Sequence, residues 1–413
     1  MGGRTITDAH PVLPKLKPNP HWAKLPLFNR KGWTRVRFGD VVENLNETCE
    51  PEAAGLERFI GLEHLEPGSL HIRAWGNVAD GTTFTRRCRP GQVLFGKRRA
   101  YQRKVAVAEF DAVVSGDIYV LAPKGDRLRP ELLPFLCLSE RFFQHAVGTS
   151  AGSLSPRTNW SSLASFEFDL PPLDQQRRIA EILWAVDECL VTGENLSGAF
   201  QEYRQSLLDS IAHEYSASHA LASLDSAIEA GRPICYGILK PGIGEDEGIP
   251  VIKVRDFPDG YIHEGDLLLT TPEIEAPFKR SRLKGGDLLI SIRGTIGRLA
   301  EVPATLQNAN ITQDTARLSI APEHNRAYIR ALLESRFVEK QIQSRITGLA
   351  VKGINIGELR KIQIPLPTRK KQDAIADQLG ELAEAQKAAS ENSMCQRSLM
   401  SASIENLLGG TAQ

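Results

Sequence analysis

Two stretches of the chain follow one pattern: WSSLASFEFDLPPLDQQRRIAEIL, residues 160–183, and IGELRKIQIPLPTRKKQDAIADQL, residues 356–379. Their apolar residues, prolines and glutamines coincide when the numbering is shifted by 196, as Leu163 with Leu359 and Gln176 with Gln372 illustrate. Unrelated segments rarely keep register over so many positions. The sequence therefore predicts an internal duplication, with two copies of one structural plan.

The match extends upstream into strand-like segments. PGQVLFGKRRA at 90–100 resembles GGDLLISIRGT at 285–295, each a glycine followed by an apolar run and a basic loop. Next come SGDIYVLAP at 115–123 and TQDTARLSIAP at 312–322, which both end in Ala-Pro. Short apolar runs bounded by glycine and proline are typical of strands, so each half is predicted to contain a mixed domain.

Downstream of each proline-rich boundary the pattern becomes helical. Apolar or small residues recur every three or four positions from Ile179 to Ile211, and again from Ile375 to Leu407. A single helix cannot bury such a stripe by itself, so the two helices are predicted to pair with each other.

We therefore predict an α+β fold, with two repeated mixed α/β domains joined by two long helices that form an antiparallel coiled coil. At roughly 150 residues per domain, 413 residues leave ample room for this arrangement. The predicted segments are an extended tail at 1–21, a first domain at 22–170, a first long helix at 171–216, a second domain at 217–364 and a second long helix at 365–413.

Composition excludes several classes of protein. Lys and Arg total 50 and Asp and Glu total 50, so the formal net charge of zero does not by itself indicate a nucleic-acid binder. No apolar run approaches the 20 or so residues of a membrane span, and the N-terminus lacks a secretory signal, so a cytoplasmic protein is expected. The six cysteines lie far apart, which favours free thiols over a zinc site or a disulfide framework.

Catalytic motifs are absent from the sequence. There is no GxxxxGK[ST] phosphate loop, no HExxH, no GxSxG, and no glycine-rich loop with the Pro-Pro-aromatic motif of a base-flipping methyltransferase. Paired carboxylates with a nearby lysine, which would hold Mg²⁺ in a nuclease, are also missing. We predict no catalytic residue, no metal ligand and no cofactor on this chain.

Positive charge is concentrated at matching places in the two halves. Residues 81–108 contain eight basic residues and no acidic one, and residues 279–300 contain six basic residues against Asp287 alone, giving local charges of plus eight and plus five. Two such segments are what a protein gripping two stretches of a phosphate backbone needs. A solvated charged face is the alternative for either segment.

Polar loops accompany the basic segments, TSAGSLSPRTNW at 149–160 and ITGLAVKGINIG at 346–357, whose side chains and backbone N–H groups can donate to phosphate oxygens. Amide side chains near the second segment could read adenine edges, although a structural turn role is equally open for Asn310. The predicted DNA-binding residues are Lys97, Arg98, Arg99, Tyr101, Arg103, Lys104, Arg157, Asn159, Arg293, Thr295, Arg298, Asn310, Thr312, Gln313, Lys352 and Asn355.

Taken together, these features resemble the specificity (S) subunit of Type I restriction-modification systems, over nearly the whole chain from Trp22 to Leu408. The resemblance is carried by the tandem repeat, the proline-bounded segments that lead into long helices, GKRRAYQRKVAV with SGDIYVLAP, and GDLLISIRGTIGRLAEV with NANITQDTARL. The family's acidic-Gln pair appears as Asp174-Gln175-Gln176, whereas the second half has Lys370-Lys371-Gln372. The second copy therefore departs from the family's pattern at this point, where partner docking is expected.

The resemblance implies that each domain is a target recognition domain reading one half of a bipartite, asymmetric DNA site in a phage-defence system. The paired helices would set the spacing and seat two methyltransferase (modification) subunits, with restriction subunits as translocase and nuclease. S-adenosylmethionine, ATP and Mg²⁺ would then belong to those partners. The alternatives are the specificity region of a fused restriction-methylation enzyme and an interaction scaffold that does not bind DNA.

Overall fold

The computed structural model describes residues 29–218, 220–348 and 352–408. The predicted N-terminal tail at 1–21 lies outside the described residues. The chain divides into two compact units, one formed by the residues up to Glu194 with those from Ser390 onward, the other by Asn195–Ala389. Each unit therefore combines a mixed domain with part of both long helices.

The first unit contains ten strands and four short helices among its described residues. The strands are β1 Thr34–Arg37, β2 Val42–Leu45, β3 Arg58–Ile60, β4 Gly76–Asn77, β5 Arg86–Cys88, β6 Val93–Gly96, β7 Val105–Val107, β8 Ala112–Val114, β9 Ile118–Pro123 and β10 Glu167–Leu170. The helices are α1 Phe38–Val41, α2 Leu133–Leu138, α3 Glu140–Gly148 and α4 Trp160–Ala164.

These strands form two four-stranded sheets, β2-β9-β6-β7 and β4-β3-β8-β5, and the antiparallel pair β1-β10. Side chains alternate between the two faces of a sheet along each strand. In the centre of the first sheet, both faces are apolar. Val93 and Phe95 of β6 pack into a core with the helices, while Leu94 between them packs into a second core on the other face. Burial on both faces explains why β6 is a continuous apolar run in the sequence.

The second unit repeats this plan. Its strands are β11 Leu221–Ser223, β12 Cys235–Tyr236, β13 Ile249–Ile252, β14 Leu268–Thr270, β15 Leu288–Ser291, β16 Leu299–Glu301, β17 Asn310–Ile311, β18 Thr315–Leu318 and β19 Gln363–Pro365. Its short helices are α6 Pro272–Glu275, α7 Arg326–Leu333, α8 Arg336–Ser344 and α9 Ile356–Arg360. The sheets are β12-β18-β15-β16, β14-β13-β17 and the pair β11-β19. Leu288 and Ile290 of β15 enter one core and Leu289 enters another, as in β6.

The two long helices are α5, Leu173–Ala217, and α10, Arg369–Leu408. Each follows a proline-containing strand end, and a buried glutamine secures its first turn. Gln176 donates to the Pro171 carbonyl over 2.8 Å, and Gln372 donates to the Pro367 carbonyl over the same distance. The glutamine that recurs in the two halves therefore links the first turn of each long helix to the segment that follows the preceding strand.

Within each unit the two helices run antiparallel and share the domain core. In the second unit Tyr203 contacts Gln378 and Glu214 pairs with Lys371, so the numbers rise along one helix as they fall along the other. In the first unit a Cβ on Gly193 of α5 would clash with the Ser393 side chain of α10, so a glycine permits this close approach. The predicted α+β class with repeated domains and paired helices is confirmed.

The predicted apolar stripe is only partly buried. Ile179, Leu190 and Ile211 are buried, as expected, but Ile182 and Tyr203 are about half exposed. Leu183, adjacent to Ile182, is buried instead. The spacing therefore predicted the buried side correctly near the helix ends at Ile179 and Ile211, but not at Tyr203.

No helix among the described residues is both long enough and apolar enough to cross a membrane. Across the same residues, no three His, Cys, Asp or Glu side chains are grouped so that they could hold a metal ion.

Candidate nucleic-acid interface

The first candidate surface is the turn that joins β6 to β7, which contains a single 3₁₀ turn at Ala100–Gln102. The polar loop before α4 lies behind it. The Arg99 N–H donates to the Pro156 carbonyl over 2.7 Å, and the Thr158 N–H donates to the Lys97 carbonyl over 3.0 Å. Two stretches that are 50 residues or more apart in the sequence thus form one surface.

An aspartate holds this surface together. Asp117, which directly precedes β9, accepts hydrogen bonds from Arg98 over 3.2 Å and from Arg157 over 2.8 Å. Burial alone would raise the pKa of Asp117, but the hydrogen bonds from the two arginines lower it below its usual value. Asp117 therefore works as an ionised clamp between the turn and the polar loop.

Lys97 and Lys104 lie partly inside the domain. The Lys97 ammonium is 4.9 Å from the centre of the Tyr119 ring, and Lys104 donates to the Leu62 carbonyl over 2.7 Å. Burial lowers the pKa of both lysines. These two of the three predicted DNA-binding lysines thus pack against the domain through these contacts.

Most cations of the run at 81–108 have partners inside the unit. Four carboxylates from outside the run neutralise four of its arginines, which leaves plus four where the sequence alone counts plus eight. The contacts are Arg86 with the Ile118 carbonyl, Arg87 with Asp111, Arg89 with Glu47, Lys97 with Tyr119, Arg98 with Asp117, Arg103 with Glu140, and Lys104 with the Leu62 carbonyl. Arg99 is the one cation of this run whose side chain has no partner in the described part of the chain.

The exposed face of the turn carries Arg99, Tyr101 and Arg103. Tyr101 is 55% exposed, a large fraction for an aromatic side chain. Asn159 is also exposed, and its side-chain oxygen accepts from the Ser162 N–H over 2.8 Å to cap α4. Its amide nitrogen is the part that remains for a ligand.

The equivalent surface of the second unit is the turn that joins β15 to β16. The backbone of Arg293 forms a bridge with Gly353, just as Arg98 does with Arg157 in the first unit. Arg293 also donates to Gln313 over 3.0 Å and lies 3.7 Å from Asp314. The predicted residues Arg293 and Gln313 therefore meet, at the same place as the clamp of the first unit.

The remaining predicted residues of this surface fall into two groups. Thr295 and Lys352 are exposed, and Asn355 is exposed while its side-chain oxygen caps α9 by accepting from the Glu358 N–H. Arg298 instead is half-buried and donates to the Val254 carbonyl over 3.3 Å. The first group is thus accessible to a ligand, whereas Arg298 stabilises the turn through its contact inside the unit.

Asn310 does not fit the predicted base-reading role. Its side chain is fully buried, accepts from the Ser281 hydroxyl over 2.7 Å and donates to Glu275 over 3.1 Å. Thr312 is buried as well. A polar side chain fixed inside the domain cannot reach a base edge without unfolding its surroundings, and this favours the structural role that was the open alternative for Asn310.

The sequence interpretation missed Asp117 and Asp314. Each directly precedes the strand that pairs with β6 or β15, and each contacts the arginine at the start of its turn. The signal was present, because SGDIYV and TQDTAR both place an aspartate at this point of the repeat. Only the fold reveals that these carboxylates face the basic turns.

Comparison with known proteins gives related sequences. The chain is 26% identical over 281 residues to the Type I restriction enzyme EcoBI specificity subunit of Escherichia coli, an alignment that covers 59% of each chain. It is 20% identical over 383 residues to the Type I restriction enzyme MjaVIII specificity subunit of Methanocaldococcus jannaschii, covering 84% of this chain and 85% of that one. This chain thus spans about three-fifths of the length of the EcoBI subunit.

Solved structures share the fold. A chain from a structure on complex assembly and conformational transition of the type I R-M system has a TM-score of 0.57 and 19% identity, covering 92% of this chain and 98% of that chain. The Type-I restriction-modification system S subunit from M. genitalium has a TM-score of 0.57 and 14% identity, covering 97% and 100%. At these identities the likeness concerns the fold alone.

The model of the Type I restriction modification DNA specificity domain matches this chain twice, at residues 79–196 and 243–392. The first match includes the β6–β7 turn and the start of α5, and the second includes the β15–β16 turn and much of α10. The two matches cover more than half of the chain. The protein therefore belongs to the family of Type I restriction modification DNA specificity domains.

Proposed function

We propose that this chain is the non-catalytic, sequence-specific DNA-binding subunit of a Type I restriction-modification complex. Each unit would read one half of a bipartite, asymmetric site in double-stranded DNA. The observation that carries the proposal is the duplicated surface: two basic turns, each bridged to a polar loop at an equivalent position, in two units of one chain.

The exposed cations and polar groups of each surface supply the contacts. In the first unit these are Arg99, Tyr101, Arg103, Arg157 and Asn159, and in the second unit Arg293, Thr295, Lys352 and Asn355, with the half-buried Gln313 beside Arg293. Guanidinium and ammonium groups attract phosphates, while amides and hydroxyls donate to phosphate oxygens or base edges. Four further cations would position the turns through their contacts inside each unit: Lys97, Arg98, Lys104 and Arg298.

Catalysis would belong to partner subunits in the cytoplasm. Two methyltransferase subunits would bind S-adenosylmethionine, and restriction subunits would use ATP and Mg²⁺. The paired helices α5 and α10 would seat the methyltransferase subunits and act as the spacer between half-sites. This chain itself would need no cofactor.

The test is binding of the purified full chain to a random duplex DNA library at low salt, followed by sequencing of the bound fraction. We expect a motif of two short halves separated by unspecified bases. A chain that binds no DNA would support the scaffold alternative. Transfer of labelled methyl groups from S-adenosylmethionine to DNA by the chain alone would support the fused-enzyme alternative.

Salt dependence tests the two surfaces separately. Arg103→Gln and Lys352→Gln each remove one exposed cation, one from each unit. Each lost phosphate contact should reduce the slope of log K against log salt by about 0.9. Arg89→Gln is the matched control, because Arg89 belongs to the same basic run and pairs with a carboxylate as Arg103 does, but lies before β6 and outside the β6–β7 turn. If all three variants kept the slope of the unchanged chain, Arg103 and Lys352 would belong to a solvated face and not to a DNA-binding surface.

A further inference from the structure

The turn between β6 and β7 has an unusual backbone. Arg99, at φ 52° and ψ 53°, and Arg103, at φ 55° and ψ 43°, are both left-handed and stand on either side of the single 3₁₀ turn. Side chains with a Cβ disfavour this conformation. Among the described non-glycine residues, Asn308 alone shares a positive φ with these two arginines.

The second unit makes the equivalent turn with glycines. Gly294 corresponds to Arg99 in the aligned repeat and has φ 71°, and Gly297 follows at φ 89°. Glycine adopts positive φ without strain. The fold is therefore satisfied by a residue with no side chain, so the arginine at position 99 is not required by the turn itself.

The backbone of Arg99 is fixed while its side chain is free. Its N–H donates to the Pro156 carbonyl, its carbonyl accepts from the Gln102 N–H over 2.8 Å, and the neighbouring Ala100 is buried. The other seven cations of the basic run contact carboxylates, carbonyls or an aromatic ring. Arg99 alone extends from a rigid base without a partner among the residues that the structure describes.

We propose that Arg99 reads a guanine in the half-site bound by the first unit, an inference that rests on the DNA-binding function proposed above. The planar guanidinium donates two parallel hydrogen bonds to O6 and N7 of guanine in the major groove. Such a contact requires a fixed Cα position, which the left-handed backbone and buried Ala100 provide. A contact to phosphate alone would tolerate a mobile lysine on an ordinary loop.

The experiment compares Arg99→Gly and Arg99→Lys with the unchanged full chain in the library selection. Arg99→Gly keeps the backbone conformation and removes the side chain, whereas Arg99→Lys keeps the charge and loses the two-donor geometry. We expect Arg99→Gly to lose the guanine preference at one position of one half-site, by roughly 5- to 150-fold between duplexes that differ at that base pair, and Arg99→Lys to show a weakened preference at the same position because its ammonium lacks the planar fork. The other half-site should be unchanged.

Two further measurements separate base reading from a structural or phosphate role. Thermal unfolding of Arg99→Gly should occur at the same or a higher temperature than that of the unchanged chain, because glycine relieves the left-handed backbone. Arg89→Gln, on the same run, should retain the complete motif.

The proposal is overturned if Arg99→Gly and Arg99→Lys select the original motif. It is equally overturned if Arg99→Gly weakens binding to every sequence alike while Arg99→Lys restores it, which is the behaviour of a phosphate contact. If Arg99→Gly does not fold, the guanine preference measured for Arg99→Lys in the library selection tests the proposal by itself. Failure of the unchanged chain to select any motif would instead refute the proposed function, and this inference with it.

Discussion

The two basic turns have the same position in their units but differ in how they are held. In the first unit Asp117 accepts from Arg98 and Arg157, and its side chain is 19% exposed. In the second unit Asp314 lies 3.7 Å from Arg293 and is 46% exposed, and a glycine replaces the second arginine. Duplication has thus preserved the backbone plan while the side chains that stiffen it diverged.

The difference shows that charge along the sequence is a poor measure of charge in space. The first run appeared the more basic of the two, yet carboxylates that lie outside the run neutralise half of its charge. Lys352 in the second unit is exposed and has no side-chain partner among the described residues. Both surfaces therefore offer fewer free cations than the sequence indicates, and those few carry more of the proposed function.

The largest expected effect is loss of the clamp in the first unit. Asp117→Ala removes a mostly buried carboxylate from two arginines, so we expect unfolding to become easier by about 2 kcal/mol, the scale of hydrogen bonds to charged groups. Asp314→Ala should change stability by less than about 0.5 kcal/mol, because exposed ion pairs contribute little. Urea unfolding of both variants of the full chain measures the contrast.

Equal losses for the two aspartate variants would show that the clamps are equivalent and that the difference in exposure has no energetic meaning. Acid provides an independent check. The pKa of Asp117 is lowered in the folded chain, so its stabilisation is complete above the ordinary aspartate pKa and is lost as the pH falls through the folded value. The stability gap between the unchanged chain and Asp117→Ala should close in acid.

A smaller effect is expected from the backbone of the second turn. Gly294 has φ 71°, and a Cβ placed there would meet no atom within 4 Å. Gly294→Ala therefore introduces backbone strain without any steric clash. We expect this strain to lower the free energy of unfolding by about 1 kcal/mol. Gly265→Ala is the control, since its φ is not positive and its Cβ would also meet open space. Equal unfolding free energies for the two variants would contradict the strain attributed to the left-handed turns.

Much of the fold followed from the sequence because the duplication fixed the register. The two matched segments located α5 and α10, and the apolar runs at 93–96 and 288–291 located the central strands β6 and β15. Periodicity works well for these elements, since continuous burial on both faces and long helical stripes leave strong patterns.

The partners of the charged groups could not be predicted in the same way. Nothing local indicates that Glu47 would meet Arg89, or that Glu140 would meet Arg103, because sheet pairing and helix packing create these contacts. Gln176 and Gln372 were visible as a repeated residue, but their role in linking each long helix to the segment before it depends on the carbonyls that surround them. The burial of Asn310 could not be predicted for the same reason, since an isolated amide in the sequence does not indicate what surrounds it.

The smallest effect concerns two histidines in the two units. His71 lies between Glu109 at 2.9 Å and Asp187 of α5 at 2.7 Å, with its side chain 30% exposed, whereas His263 is 59% exposed beside Asp259. Burial would lower the pKa of His71, but the hydrogen bonds to the two carboxylates outweigh it and raise the value. Arg73, Glu66, Glu194 and Arg397 also face this site, together with the Trp184 ring.

A raised histidine pKa stabilises the folded chain below the ordinary value of about 6.5, and the gain is lost as the pH rises through the folded value. We expect the free energy of unfolding of the unchanged chain to fall more between pH 6 and pH 8.5 than that of His71→Gln, by less than about 1 kcal/mol. His263→Gln should follow the unchanged chain. A pH profile that flattens with His263→Gln and not with His71→Gln would place the titrating contact in the second unit, against the difference in burial.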